Sequence, residues 1–306
     1  MLIAIDHGNY AIKTPRFSFV SGLTEHSVKP PMTDEILEYN GKFWTLAGKR
    51  LPYMRDKTQD DRFFIMSLFA IAKELERKGQ YSPMEHIQLA VGLPPEHFGS
   101  LKEKFSSYFR RPGTVKFTYR DKSYSILIEQ VMVFPQAFAA VVPKSSMVLN
   151  TLRLFVIDIG GYTTDVLLLQ NGKPNLQFCR SLETGVITMN NEVIRKINAQ
   201  YDMLIEDEHI TAVLQGKETY LPDEVKQEIF NAAQQHSNDI LSQLRELQVD
   251  LRTNPSIFIG GGSVLLQPYL AESQLVGKAE FLDSPNANAL GYEMLGEKQL
   301  TRLNNR

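Results

Sequence analysis

One short motif occurs twice in this chain of 306 residues, and the two copies lie about half a chain length apart. Each copy is an apolar run followed by Asp, any residue, Gly, any residue and Tyr, at residues 2–10 and at residues 154–162. A motif that returns in the same register indicates an internal duplication, which predicts two related halves. Two unrelated hairpins that share their turn residues are the alternative.

The repeated motif has the features of a β-hairpin with a ligand-binding tip. A strand that ends in Asp-x-Gly and turns into a second strand exposes backbone N–H groups, and glycine permits close approach of a ligand there. The expected return strands are residues 11–13 and 164–169. Two such tips facing each other would hold a polyphosphate. Asp6 and Asp158 would then lie near Mg²⁺, a hard cation that takes few protein carboxylates.

A third glycine-rich segment follows another apolar strand near the C-terminus. Gly260, Gly261 and Gly262 come after residues 257–259 and precede a helical pattern at residues 264–270. Three consecutive glycines permit close packing against a ring or a sugar. The sequence contains no G-x-x-x-x-G-K-[ST] motif, and no G-x-G-x-x-G motif follows a strand. The P-loop and Rossmann nucleotide folds are therefore excluded.

Composition narrows the class of protein further. With 43% hydrophobic and 22% charged residues, a folded globular protein is expected. A net charge of -2 gives no broad basic surface for nucleic acid. The single cysteine, Cys179, cannot form an internal disulfide and is expected to be a small buried residue. No apolar run reaches the ~20 residues that span a bilayer, so a cytoplasmic protein is expected.

Together, these motifs resemble those of the superfamily that comprises actin, the heat-shock chaperones and the sugar kinases. The marks of that superfamily are two phosphate hairpins, a glycine turn for adenosine and two connecting helices. The connecting helices are matched here by residues 134–140 and 286–292. Residues 158–165, residues 91–98 and the compact length are similar to bacterial plasmid-segregation actins of the ParM (StbA) type.

The resemblance implies an α/β, bilobal actin-like (ribonuclease H-like) fold, with two related lobes and a nucleotide cleft between them. The first lobe would comprise residues 1–150, with a small outer subdomain at about residues 30–110, and the second lobe residues 151–283. Residues 284–306 would form a C-terminal helix that returns to the first lobe. The tail from Thr301 is expected to be frayed.

The resemblance also implies the residues of an ATP site. The expected catalytic residues are Asp6 and Asp158, which would bind Mg²⁺ through water, and Gln136, which would orient the attacking water. The residues expected around the phosphates are Gly8, Asn9, Tyr10, Lys13, Gly160, Gly161, Tyr162 and Thr163. Those expected at adenosine are Glu228 and Asn231, on a predicted helix at residues 222–247, with Gly260, Gly261 and Gly262.

Three residues of the first turn differ from the usual pattern or have a minor expected role. Many relatives carry a hydroxyl residue where this chain has Asn9 and Tyr10, although an amide can still donate to a phosphate oxygen. His7 is expected to be a spacer.

Trp44 is interpreted either as a core residue or as part of a subunit interface. The basic residues of segment 102–111 are interpreted as a solvated face rather than a DNA or partner contact.

The function implied by the resemblance is Mg²⁺-dependent ATP hydrolysis coupled to filament assembly, for plasmid DNA segregation. The implied partners are further copies of the chain and a DNA-binding adaptor protein, with GTP left open as an alternative nucleotide. Two other functions remain open: a small-molecule kinase of the same fold, and a chaperone-like or scaffold ATPase that does not polymerise. Activator ATPases that hold an iron–sulfur cluster are excluded by the single cysteine.

Overall fold

The computed structural model describes residues 1–54, 56–79, 82–144 and 148–304. The chain divides into two compact units. Unit 1 comprises Met1–Pro143 and Asn286–Arg306, and unit 2 comprises Lys144–Pro285. Each unit has its own mixed sheet, helices and hydrophobic core.

Unit 1 is built on a sheet with nine strands among its described residues, in the order β3-β2-β1-β7-β9-β8-β5-β6-β4. The strands are β1 (Leu2–His7), β2 (Ala11–Lys13), β3 (Ser18–Val20), β4 (Leu23–His26), β5 (Ile36–Tyr39), β6 (Lys42–Leu46), β7 (Glu85–Leu93), β8 (Val115–Tyr119) and β9 (Lys122–Pro135). Its helices are α1 (Arg62–Lys78), α2 (Pro95–Phe109), the short α3 (Phe138–Val141), which continues as a 3₁₀ turn (Val142–Lys144), and α8 (Ala287–Asn304).

Unit 2 is built on a sheet with five strands among its described residues, in the order β12-β11-β10-β13-β14. The strands are β10 (Arg153–Ile159), β11 (Thr164–Gln170), β12 (Lys173–Leu182), β13 (Ser256–Ile259) and β14 (Ala279–Phe281). Its helices are α4 (Val186–Tyr201), α5 (Asp207–Leu214), α6 (Asp223–Glu246) and α7 (Gly261–Ala271).

The sequence repeat has the same strand pairing in both units. Strand β1 pairs with β2 in antiparallel and with β7 in parallel orientation. Strand β10 pairs with β11 in antiparallel and with β13 in parallel orientation. In each case the aspartate lies near the end of the central strand, opposite Lys13 in unit 1 and opposite Asp165 in unit 2. Because parallel strands are buried on both faces, residues 2–5 of β1 and residues 154–157 of β10 are all apolar.

Local signals in the sequence explain where several elements begin and end. Helix α6 starts after Pro222, with Asp223 and Glu224 in its first turn, where carboxylates favour the helix dipole. Helix α1 ends at Gly79, whose positive φ closes the helix in the left-handed conformation. The turn between β5 and β6 has positive φ at Asn40 and Gly41, the pattern of a tight hairpin.

Two expectations about helix ends are wrong. Residues 134 and 135 belong to strand β9, and the short helix after them begins only at Phe138. At the C-terminus, α8 continues through Asn304, so the tail is not frayed from Thr301; residues 305–306 lie outside the described residues. The Thr301 hydroxyl donates to the carbonyl of Glu297, four residues earlier in the same helix.

Several side chains have clear environments. Trp44 is 9% exposed and belongs to the core of unit 1, and Cys179 is buried in unit 2. In the basic segment, Lys104 pairs with Asp56, and Arg111 pairs with Asp61 while its guanidinium lies 4.0 Å from the Phe64 ring centroid. Among the described residues, no helix is long and apolar enough to cross a membrane.

Candidate functional site

The first turn, residues 6–10, presents Asp6 at the end of a buried strand. Asp6 is 4% exposed, and its Oδ1 accepts a 2.9 Å hydrogen bond from Nε2 of Gln136. Lys13 lies opposite Asp6 on the return strand. The structure therefore brings together Asp6, Lys13 and Gln136, three of the predicted site residues, although Gln136 lies 130 residues after Asp6 in the chain.

The shape of the first turn depends on glycine. A Cβ on Gly8 would lie 2.6 Å from the carbonyl oxygen of Ala11, so only glycine fits without a shift of the backbone. The Gly8 carbonyl accepts a 2.6 Å hydrogen bond from Ser21. The Asn9 side chain accepts from the backbone N–H of Met54 at 3.4 Å, and Tyr10 is 40% exposed. The amide of Asn9 is thus directed at protein, while the Tyr10 side chain is open to solvent.

Gln136 occupies an unusual backbone segment. Its N–H donates to the Leu93 carbonyl at 2.8 Å, and the next residue, Ala137, has φ of 60°, a conformation that is uncommon for a residue with a side chain. The Ala137 N–H donates to Oδ1 of Asn288 on helix α8 at 2.9 Å. Asn288 was not predicted as a site residue, and only the path of α8 in the fold reveals its contact.

His7 is a buried side chain rather than a spacer. It is fully buried, and its ring centroid lies 4.7 Å from that of Phe109. Burial, with a smaller effect from the charge of Lys57, lowers the pKa of His7 to about 3. The imidazole is therefore neutral at physiological pH. The sequence alone did not indicate this environment, because the ring contacts come from helices α1 and α2.

The second turn, residues 158–162, is closed by bonds within the motif. The N–H of Gly160 donates to the carbonyl of Thr163 at 2.8 Å, and the Thr163 hydroxyl donates to Asp165 at 3.1 Å. The start of helix α4 packs directly on this turn, since the N–H of Ile187 donates to the Gly161 carbonyl at 2.8 Å.

Gly185 packs against the second turn, a contact that the sequence did not predict. A Cβ at this position would lie 2.3 Å from the carbonyl carbon of Gly161 and 2.4 Å from that of Tyr162. Glycine at the N-terminal end of α4 is therefore needed for the helix to reach the second turn. The available signal was a glycine directly before an apolar helical pattern.

The glycine-rich segment of unit 2 packs against the second turn. Gly260 has φ of 90°, and a Cβ there would lie 2.4 Å from Oδ1 of Asp158. A Cβ on Gly262 would lie 2.6 Å from the Ile159 side chain. Gly261 and Gly262 form the first turn of α7. The predicted phosphate turn and the predicted adenosine turn are thus adjacent in unit 2.

A pocket of about 350 Å³ lies between helices α4 and α6 of unit 2. Both predicted ribose partners line it: Glu228 accepts from Lys196, and Asn231 accepts from Gln227 at 3.0 Å. His236 also lines the pocket and lies 3.1 Å from the Thr184 carbonyl. Burial lowers the pKa of His236, with a smaller opposing effect from that hydrogen bond.

Asp6 and Asp158 are the carboxylates predicted to lie near Mg²⁺. The described residues contain no cluster of three or more His, Cys, Asp or Glu side chains that could hold a metal. Mg²⁺ keeps most of its water and takes only one or two protein carboxylates, so the prediction does not require such a cluster.

Two family models match the chain. The model for the N-terminal domain of actin-like proteins matches residues 37–138, and the model for the C-terminal part of the archaeal MreB-like actin homologue matches residues 156–272. Together they span more than half of the chain. No curated protein sequence matches it.

Solved structures share the fold. The archaeal actin homologue Ta0583 in complex with ADP has 19% identity and a TM-score of 0.75, over 97% of this chain and 99% of that one. ParM of Bacillus thuringiensis with ATP has 12% identity and a TM-score of 0.69, over 98% and 99%. The Alp12 filament structure has 16% identity and a TM-score of 0.64, over 97% and 98%.

The architecture is therefore the α/β actin-like fold, as the sequence predicted. The chain belongs to the actin-like ATPase superfamily.

Proposed function

We propose that this chain binds and hydrolyses Mg-ATP and assembles into filaments. The observation that carries the proposal is the repeated strand, aspartate and glycine turn, which is built with the same pairing in both units. Relatives by fold were solved with ADP, with ATP and as a filament. Filament assembly is proposed to serve the segregation of plasmid DNA through a DNA-binding adaptor.

The residues have distinct proposed roles in hydrolysis. Backbone N–H groups and side chains of both turns bind the phosphates, at Gly8, Asn9, Tyr10, Lys13, Gly160, Gly161, Tyr162 and Thr163. Asp6 and Asp158 hold Mg²⁺ through water, and the cation neutralises phosphate charge when bound. Gln136 orients the attacking water, and its bond to Asp6 keeps its amide at the first turn.

The nucleoside is proposed to bind in unit 2. Gly260 and Gly262 lie against the second turn, Gly261 faces open space, and none of the three carries a side chain. Glu228 and Asn231 line the pocket of α4 and α6 and are proposed to contact ribose. GTP is an alternative nucleotide, so competition by GTP belongs in the same assay.

Right-angle light scattering with pelleting tests the proposal. After Mg-ATP is added we expect a rise that later decays, whereas a slowly hydrolysed analogue should give a lasting rise. Mg-ADP and the Asp158→Asn variant serve as controls and should give weak signals. A flat trace with ATP still hydrolysed would refute filament assembly and favour the kinase or scaffold alternative. Absence of ATP binding would refute the whole proposal.

A further inference from the structure

We propose that His7 is a positioning residue that holds the first turn against helix α1 through Ser67. Its Nε2 lies 2.8 Å from the Ser67 hydroxyl oxygen, and both residues are fully buried. The inference extends the proposed function, because the first turn is the segment proposed to bind phosphate.

The direction of this hydrogen bond follows from the partners of Ser67. The Ser67 hydroxyl donates its hydrogen to the carbonyl of Phe63, four residues earlier, at 2.8 Å. A hydroxyl has one hydrogen, so the Ser67 oxygen must accept from His7. The imidazole therefore carries its proton on Nε2. This tautomer, with the Ser67 oxygen as its acceptor, fixes the rotation of the imidazole ring and its position relative to helix α1.

The side chains of Asp6 and His7 divide two tasks between opposite faces of the same strand. Neighbouring side chains of a strand point to opposite faces of the sheet. Asp6 bonds to Gln136, at the end of β9, whereas His7 bonds to Ser67 in α1. Asp6 thus takes part in the proposed hydrolysis, and His7 anchors the backbone that carries Asp6.

The surroundings of His7 limit its motion further. Its ring contacts Phe109 and makes edge contacts with Phe63 and Phe105, at centroid distances of 6.4 and 6.0 Å. Lys57 donates to the carbonyl oxygen of His7 itself. His7, the residue directly before Gly8, is therefore restrained in three ways: by the contacts of its ring, by its hydrogen bond to Ser67 and by the bond from Lys57 to its carbonyl oxygen.

The position of Ser67 supports a role beyond packing. Ser67 lies on α1 among Phe63, Phe64, Ile65, Met66 and Leu68, all of them buried. A hydroxyl in such surroundings costs free energy unless it is hydrogen-bonded, and two apolar residues of matching shape would pack there without that cost. A polar pair in this place specifies one arrangement of the turn and the helix.

Amide hydrogen exchange and steady-state ATP hydrolysis test the role together. The variants are Ser67→Ala, His7→Gln and His7→Leu. The control is Ser237→Ala: Ser237 is equally buried, and its hydroxyl makes the same bond to a carbonyl four residues earlier, but it bonds no histidine. Thermal unfolding of each variant first establishes that it is folded at the assay temperature.

For Ser67→Ala we expect exchange of the peptide covering residues 3–13, without nucleotide, to be faster by about tenfold than in the control. We expect kcat to fall about tenfold with KM changed less than about threefold, since small displacements of positioned groups affect mainly the chemical step. His7→Gln, whose amide N–H can still reach Ser67, should retain more activity than His7→Leu.

Equal exchange in the Ser67 variant and the control would overturn the inference. Faster exchange with an unchanged kcat would overturn it too, because the bond would then be structural only. If the wild type does not hydrolyse ATP, the proposed function fails, and the exchange comparison alone then decides whether His7 holds the turn.

Discussion

At the scale of single residues, two contacts hold the turns in place, and a single substitution tests each of them. Gly260 and Asp158 are in van der Waals contact with no space for a Cβ, and Gln136 reaches Asp6 from a strand end more than a hundred residues away. These contacts restrict which residue type fits at the positions in the turns. In the apolar strands around them, hydrophobic residues of similar volume can replace one another.

Gly260→Ala should destabilise unit 2 by about 1–3 kcal/mol, because its φ of 90° is nearly restricted to glycine and the new Cβ would meet Asp158. The control is Gly261→Ala, whose Cβ would have no atom within 4 Å. Urea unfolding of both variants gives the comparison. An equal loss of stability in the two would contradict the steric argument.

Gln136→Ala should lower kcat for ATP about 10²-fold while the Kd for ATP changes by less than about threefold, because a residue that orients water acts mainly in the transition state. Single-turnover hydrolysis and nucleotide titration measure the two quantities. Gln177→Ala, at an exposed position of β12, is the control. A weaker Kd with normal kcat would instead make Gln136 a binding residue.

At the scale of elements, the crossing of helices α3 and α8 in unit 1 depends on small residues. Gly291 of α8 lies so close to α3 that a Cβ would be 1.9 Å from the carbonyl oxygen of Ala139. Tyr292, the next residue, is fully buried against Gly92 of β7. This crossing also brings Asn288 to Ala137, so helix packing and the position of Gln136 are linked.

Gly291→Ala should therefore destabilise unit 1 by more than about 2 kcal/mol, since the helices must separate to admit the methyl group. Gly296→Ala in the same helix is the matched control. Its Cβ would meet only the flexible ends of Leu2 and Met132 at 3.1 Å or more, and alanine favours a helix over glycine by about 0.5–1 kcal/mol. Thermal unfolding should lower the Tm of the first variant alone; similar Tm values would refute the close crossing.

At the scale of the whole molecule, a histidine whose pKa is lowered by partial burial makes stability depend on pH. Burial lowers the pKa of His236 in the folded chain below its ordinary value of about 6.5. The unfolded chain therefore binds a proton at a higher pH than the folded chain does. The contribution to stability is complete above about pH 6.5 and is lost as the pH falls from there towards the folded pKa.

His236→Gln should lose less stability than the wild type between pH 7.5 and pH 5.5, by at most about 1.4 kcal/mol per pH unit. Urea unfolding at the two pH values measures the difference. His26→Gln is the control, because His26 lies in a strand of unit 1, outside the pocket of α4 and α6, and bonds to Thr45 on the neighbouring strand. An identical pH dependence in wild type and His236→Gln would contradict a lowered pKa of His236 in the folded chain.

Much of this fold could be predicted from local patterns in the sequence. The hairpins of both turns, the helix that starts after Pro222 and the strand before Gly260 follow from apolar periodicity, turn residues and capping, which act over a few neighbouring residues. The superfamily followed from the order of these motifs.

Tertiary structure alone decided which distant residues meet. The order of strands leaves only β7 between β1 and β9, so Gln136, directly after the end of β9, meets Asp6. Helix α1 supplies the serine to which His7 bonds. The requirement for glycine at position 185 arises from packing of α4 on the second turn. Sequence patterns report the local preferences of the chain, whereas these contacts arise from side-chain packing across separations of 24 to 130 residues, which no local pattern encodes.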